Sequence, residues 1–466
     1  MAQTFQFVDS ASVDKTTTRK LIRSHVMKGK NAGRVLPRRS KLRTDRYQER
    51  VFGDERALIQ RQPPRATRIP RNLGSLLLTI SLPELSQQSL DIADQFFGHV
   101  AEKMYPTRLG LPINEAKAIY LKVMFWDSET SHCSVSLMQA FNEFFITNGR
   151  DSQTALQYLG KTFGIVQQRL ESPKALEDST IGMIISLITQ EYIRQQTQTA
   201  KLHLEGLKRI VNLRGGLKEF DSNPGVLYKI CKTEITYCLE TGQPQTFYRN
   251  SMPQINKALE ANGFKLDRKK VISTLLHKNI DPSLEELLVD VCCVARLFNA
   301  NKGKQVFDLV SFQEMNITIF SRLLRFHHLS APKRESNIEA AYHIGITLFM
   351  MIISLQHDNR RILDFPLVTS ILRNILTEGL GDNEAELTLW LSLLGAIWCL
   401  DDPDPSFFHT RIRMMTGRLG LGTWEETESC VRKFPWINFL HGEMGQQVWG
   451  DASWSPGGSW SPAIFE

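Results

Sequence analysis

The sequence predicts an all-α protein, a single large multi-helix body behind a disordered basic N-terminal arm. Three observations carry this. After about Leu76 nearly every stretch repeats its apolar residues at helical spacing. No run alternates apolar and polar residues as a half-buried strand would. Breakers fall between the periodic stretches, at Pro106, Pro112, Pro173, Gly215-Gly216, Pro224, Gly242, Pro282, Pro332, Pro366, Gly379 and the DDPDP run from Asp401 to Pro405. The chain therefore divides into an arm and linker over residues 1–75, a helical body over 76–450 and a mobile tail over 451–466.

The arm comes first. Residues 1–75 hold 18 Lys/Arg against 6 Asp/Glu, a net +12, so the chain's total of +7 leaves the rest at −5. One short helix is expected from Asp14 to Lys28, with Leu21, Ile22, His25 and Val26 on one face. Beyond it periodicity disappears and eight cations crowd together: Lys28, Lys30, Arg34, Arg38, Arg39, Lys41, Arg43 and Arg46. Such a cluster suits a nuclear import signal, a set of phosphate contacts, or a plain solvated linker. If all eight met duplex phosphates, log affinity would fall with log salt at a slope of about −7. That binding would be blind to sequence.

The body is expected to form helices over 84–103, 113–126, 134–149, 152–170, 175–198, 200–214, 223–240, 252–261, 267–277, 283–299, 308–326, 336–356, 364–377, 383–400, 405–416, 423–432 and 436–449. In HLEGLKRIVNLRGGL the apolar face is Leu204, Leu207, Ile210 and Val211, and Gly215 closes the helix in the left-handed conformation that lacks a Cβ penalty. Arg214 stands in the last turn, where a cation suits the carbonyl end. Two stretches, Ala340–Gln356 and Leu387–Leu400, are strongly apolar but fall short of the ~20 clean residues of a membrane span, so they are expected at the centre of the core. No repeat of solenoid length is visible. The tail repeats Ser-Trp-Ser-Pro twice.

Chemistry leaves few candidates. The seven cysteines are scattered and form no CxxC pair, which argues against a disulfide framework or a zinc ribbon and for a reducing compartment. MAQTFQFVDSASVDK has no signal-peptide core. His327-His328 are neighbours that point about 100° apart on a helix, poor geometry for one metal. Glu129 and His132 match half of a di-iron motif, without the second half. His357-Asp358 lacks a carboxylate-accompanied upstream histidine. GRLGLG, Gly417–Gly422, reads as a helix cap, and Asp401, Asp402 and Asp404 as a turn that caps the next helix. No catalytic residue, cofactor or metal is expected.

The order of several stretches is more specific. TIGMIISLITQEYI precedes HLEGLKRIVNLRGGL; then come LYKICKTEITYCLETGQPQTF and, much later, LTLWLSLLGAIWCL and FPWINFLHGEMGQQVW. The series resembles the fungal-specific transcription factor domain, the helical regulatory body of fungal zinc-cluster activators. The family's histidine-initiated helix with an Arg-Gly-Gly end matches His203, Arg214, Gly215 and Gly216. Its Thr-Gly-x-Pro-x-Phe-like stretch matches Thr241–Phe247, and its late Pro-Trp…Trp helix matches Pro435, Trp436 and Trp449. FQFVDSASVDKTTTRKLIRSHVMK also looks like the opening of one subgroup. The resemblance covers most of residues 1–450. It departs at the family's six-cysteine zinc cluster, since the first cysteine is Cys133, inside the body. The resemblance implies a nuclear regulator of a metabolic or secondary-metabolite pathway. It would work through transcription-factor or promoter-bound partners, as a homo- or heterodimer, with DNA contacted indirectly or non-specifically. The other readings are an interaction scaffold, a metabolite sensor, or an enzyme of an unfamiliar helical class.

Overall fold

The computed structural model describes residues 86–453, apart from 101–108, 112–126, 148–152, Gly303, 333–335, 356–360 and 401–403. The arm of residues 1–75 with its eight cations, the helix expected over 113–126 and all but the start of the tail lie outside the described residues.

The described residues hold 16 α-helices and no strand. They are α1 (Gln87–Gln95), α2 (Ser128–Asn142), α3 (Gln153–Leu170), α4 (Asp178–Ile193), α5 (Thr197–Leu213), α6 (Pro224–Thr241), α7 (Met252–Ala261) and α8 (Arg268–Thr274). Then come α9 (Pro282–Ala300), α10 (Leu309–Phe326), α11 (Asn337–Ser354), α12 (Pro366–Glu378), α13 (Ala385–Trp398), α14 (Ser406–Leu419), α15 (Trp424–Val431) and α16 (Asn438–Ser453). Turns of π-helix extend α1 over Phe96–Val100 and α2 over Glu143–Thr147. Short 3-10 turns precede α4 at Pro173–Leu176 and α6 at Leu217–Phe220.

Starts follow local chemistry. Proline occupies the first turn of α6, α7, α9 and α12, where its missing N–H costs nothing. Asp127 and Thr130 form a capping box: the Thr130 N–H donates to Asp127 Oδ1 at 2.7 Å and the Asp127 N–H to Thr130 Oγ1 at 2.8 Å. That box starts α2 at Ser128, six residues before the expected position, so the polar run DSETSH is a first helical turn. The break between the helices expected over 175–198 and 200–214 falls earlier, at 194–196. Gln195 takes φ 58° and breaks the chain between α4 and α5, which begins at Thr197.

Packing is arranged in two neighbourhoods joined through α6, α9 and α10. In the first, α4 lies against α2, α3, α5 and α6. In the second, α13 lies against α11, α12, α14, α15 and α16. One large apolar cluster runs from Leu109 to Ala452, and a smaller one joins α1 to α2. Among the described residues α11 is long and apolar enough to cross a membrane, yet 72% of its apolar window is buried inside the protein. With α13, whose Trp390 and Trp398 are fully covered, it forms the centre of the core, where the sequence placed both. Gly345 of α11 permits this approach, because a Cβ there would overlap the Trp390 ring.

Candidate functional site

The Arg-Gly-Gly turn ends α5. Gly215 and Gly216 adopt φ 104° and 94°, a region open to glycine at little cost. Their N–H groups donate to Asn212 and Val211 carbonyls at 3.0 and 2.9 Å, closing the helix. The Arg214 guanidinium does not turn back to its own helix end. It donates to the Leu176 carbonyl at 3.1 Å, pairs with Asp178 and covers the Phe220 ring at 4.1 Å. Asp178 also accepts from Asn223 Nδ2 at 2.7 Å. One side chain thus ties the end of α5 to the starts of α4 and α6. His203 does not begin its helix but lies in its second turn, half-buried with its ring 5.5 Å from Phe163. Burial pushes its pKa below the usual imidazole value.

The Thr241–Phe247 stretch folds back over α6. Gly242 closes that helix at φ 74°, and a Cβ there would stand 2.8 Å from the Ser330 nitrogen and 2.7 Å from Leu367. Glu234, fully buried, accepts the Thr246 and Phe247 N–H groups at 2.9 and 2.8 Å and pairs with Lys208 at 3.1 Å. Twelve residues of sequence separate Glu234 from Thr246, the first of the two N–H groups it holds.

The Pro-Trp…Trp segment is anchored by its backbone. Trp390 Nε1 donates to the Pro435 carbonyl at 3.1 Å, and Asn299 Nδ2 to the Trp436 carbonyl at 2.7 Å. Asn299 Oδ1 accepts the Asn438 N–H at 2.8 Å. Trp424 stands 6.4 Å from Trp436 and 6.5 Å from Trp449. His441 is stacked on Phe349 at 5.0 Å and leans on Trp436 at 5.1 Å. Its Nδ1 lies 3.1 Å from the Ile437 nitrogen and 3.2 Å from the Ile437 carbonyl oxygen. Burial holds its pKa down to about 3, and the ring is neutral.

The remaining candidates are dispersed. Glu129 pairs with Arg169 at 3.1 Å, while His132 rests 6.0 Å from Tyr158. His327 and His328 stack on each other 6.3 Å apart. His357-Asp358, Asp401 and Asp402 lie outside the described residues. Asp404 Oδ1 accepts the Ser406 N–H at 3.1 Å, at the start of α14. Gly420 closes α14 at φ 67°, and Thr423 with Glu426 forms a capping box on α15. All seven cysteines are buried; burial pushes the thiols of Cys133, Cys231, Cys238 and Cys292 up to about 12, away from reactivity. No group of three or more metal-ligating side chains occurs among the described residues.

Sequence reading missed the buried ions. Arg169 is 2% exposed and meets Asp127 at 2.7 Å; Asp290, 3% exposed, is held between Arg268 and Arg322. The signal was register. Arg169 falls in line with Tyr158, Thr162 and Val166 on α3, and Glu234 with Ile230 and Cys238 on α6. Concavities are shallow or small. One of about 540 Å³ is lined by Glu205, Lys208, Arg209, Asn212, Leu213 and Thr246. A second of about 350 Å³ lies between α2 and α3 around His132 and Lys161. A third, about 10 Å³ beside Tyr228 and Asn316, has room for about one water. The stretches at Arg214, Phe247 and Pro435 therefore act as joints, each fixing one helix end to another element.

Comparison with known proteins found no match to the chain among family models, curated proteins or solved structures.

Proposed function

We propose that the protein is a nuclear transcriptional regulator of a fungal metabolic or secondary-metabolite pathway, acting through its helical body and through partner proteins. The observation that carries the reading is the ordered series of stretches that resembles the fungal-specific transcription factor domain. In this chain those stretches are joints: Arg214 ties the end of α5 to the turn before α4, Phe247 folds back onto α6, and Pro435 is held by α13. The charge asymmetry supports it: residues 1–75 carry +12 and can serve import or phosphate contact, while the rest carries −5. Without a six-cysteine cluster the chain has no zinc-cluster route to base readout, so promoter specificity comes from a partner.

The test follows the two halves of the claim. A fluorescent carrier fused to residues 1–75 is expected to concentrate in the nucleus. Deleting the gene is expected to change transcripts of one metabolic pathway. A cytoplasmic carrier and an unaltered transcriptome would favour the scaffold or sensor reading instead.

A further inference from the structure

Beyond the arm the chain is acidic, and the region around α8 departs from this. Residues 261–280 hold five cations, Lys265, Arg268, Lys269, Lys270 and Lys278, against Asp267 alone. That is a net +4, while the rest of residues 76–466 carries −9. Arg268 is engaged with Asp290. The four lysines are exposed, and none has an ion pair among the described residues. Asp267 is turned to the helix start, where its Oδ1 accepts the Lys270 N–H at 3.0 Å. Between these cations Ile272 and Leu276 are 42% and 45% exposed, although Val271 and Leu275 beside them are buried. Lys269 and Ile272 stand three apart on α8 and are neighbours on its surface. Leu276 follows two residues beyond the end of that helix.

The segment is fixed from beneath. Arg268 pairs with Asp290, and Arg296 donates to Thr274 Oγ1 at 2.8 Å, so both ends of α8 are tied to α9. The His277 ring nitrogens lie 2.7 Å from the Tyr342 hydroxyl of α11 and 2.7 Å from Glu384 Oε2 at the start of α13. The Asp281 N–H donates to Glu339 Oε1 at 2.8 Å. A surface held in place before binding loses little ordering entropy when it binds.

Chemistry selects the partner. Unpaired lysines on an otherwise acidic body attract an anionic surface. Duplex phosphates would answer the lysines and give Ile272 and Leu276 no apolar partner. Helices that lie in an anionic bilayer often run ~20–30 residues, and α8 has seven. A helix carrying carboxylates beside a row of aliphatic side chains answers both features at once, the row serving as anchor and the carboxylates as rim. We propose that the surface around α8 docks an acidic amphipathic helix of a partner protein, with carboxylates against Lys269 and Lys270 and aliphatic anchors against Ile272 and Leu276. The inference goes beyond the regulatory reading and rests on charge and exposure alone.

The full-length chain is titrated with a synthetic Glu/Leu peptide of ~15 residues whose leucines recur at helical spacing. Contact is read by brief lysine acetylation and mass spectrometry. Lys28, Lys30 and Lys41 of the arm report non-specific attraction within the same molecule. The peptide is expected to protect Lys269 and Lys270 at lower concentration than it protects the arm lysines. Ile272→Ser and Leu276→Ser are each expected to raise the peptide concentration needed by ~5-fold or more. Both side chains are exposed, and circular dichroism with thermal midpoint reports that each variant keeps its fold. Polyglutamate of equal length is expected to protect the same lysines ~5-fold more weakly, for want of anchors. A peptide that protects the arm while leaving Lys269 and Lys270 unchanged would overturn the proposal, as would polyglutamate equal to it. Duplex DNA or phosphatidylserine vesicles that protect Lys269 and Lys270 more strongly than the peptide would overturn the choice of partner.

Discussion

Helices α13 and α3 are apolar in different ways, and the molecule treats them differently. In α13 twelve residues are buried, and only Glu386 and Thr388 reach the surface in part. Five other helices surround it. A helix apolar on every side has to be enclosed, and the chain supplies the enclosure. Six residues of α3 are buried, against α2 and α4. Leu156, Phe163 and Leu170 are left partly exposed among the described residues. Apolar content alone therefore does not place a residue in the core. The number of neighbours a helix receives decides it.

The contrast can be broken by mutation, most severely at α13. Trp390→Ala removes a fully buried ring stacked on Phe434 and its hydrogen bond to Pro435. It is expected to cost ~3–5 kcal/mol in chemical denaturation. Glu234→Ala leaves Lys208 and two loop N–H groups without their partner and is expected to cost ~3 kcal/mol, with protease cleavage appearing near Thr246.

The buried His441 gives a pH dependence of definite sign. Its folded pKa, about 3, lies below the ordinary 6.5, so between these values the unfolded chain binds the extra proton. Stability from this group is complete above about pH 6.5 and falls as pH drops toward 3, by up to ~1.4 kcal/mol per pH unit. His132, His203 and His409 are shifted in the same direction. His441→Gln is expected to flatten the slope of unfolding free energy between pH 6 and 4, measured by urea titration, without abolishing it.

Gly215→Val forces a β-branched residue to φ 104° and brings a Cβ within 3.2 Å of Glu219; a loss above ~1 kcal/mol is expected in thermal unfolding. The smallest effect belongs to α3. Phe163→Ala is expected to change stability by under ~0.5 kcal/mol in chemical denaturation. A loss as large as that of Trp390→Ala would erase the distinction between the two helices.

Much of the fold is legible in the sequence because helical spacing and breakers act locally. The helix expected over 252–261 has those bounds in the structure, and the one over 308–326 is displaced by a single residue. The Gly215-Gly216 stop is equally local. What was not legible depended on less common local chemistry or on distance. Gln195 takes a left-handed conformation with neither glycine nor proline to announce it, so α4 and α5 read as closer to continuous than they are. The start of α2 hid in a polar run whose capping box needed Asp127 to be seen as a cap. Arg169, Glu234 and Asp290 carry no mark of their partners in the local sequence, because those lie on other helices or in a loop folded back onto them. The candidate site divides the same way. The glycines and tryptophans were visible as a motif, whereas what they hold together, Arg214 on Asp178 and Trp390 on Pro435, appears only in three dimensions.

Chromatin immunoprecipitation of the full-length tagged chain from its own host tests the proposed function most directly. The account predicts sharp promoter peaks that persist in their positions, though weakened, when Lys28–Arg46 is deleted, because a partner supplies the sequence readout. An intact, abundant protein without promoter peaks would contradict it.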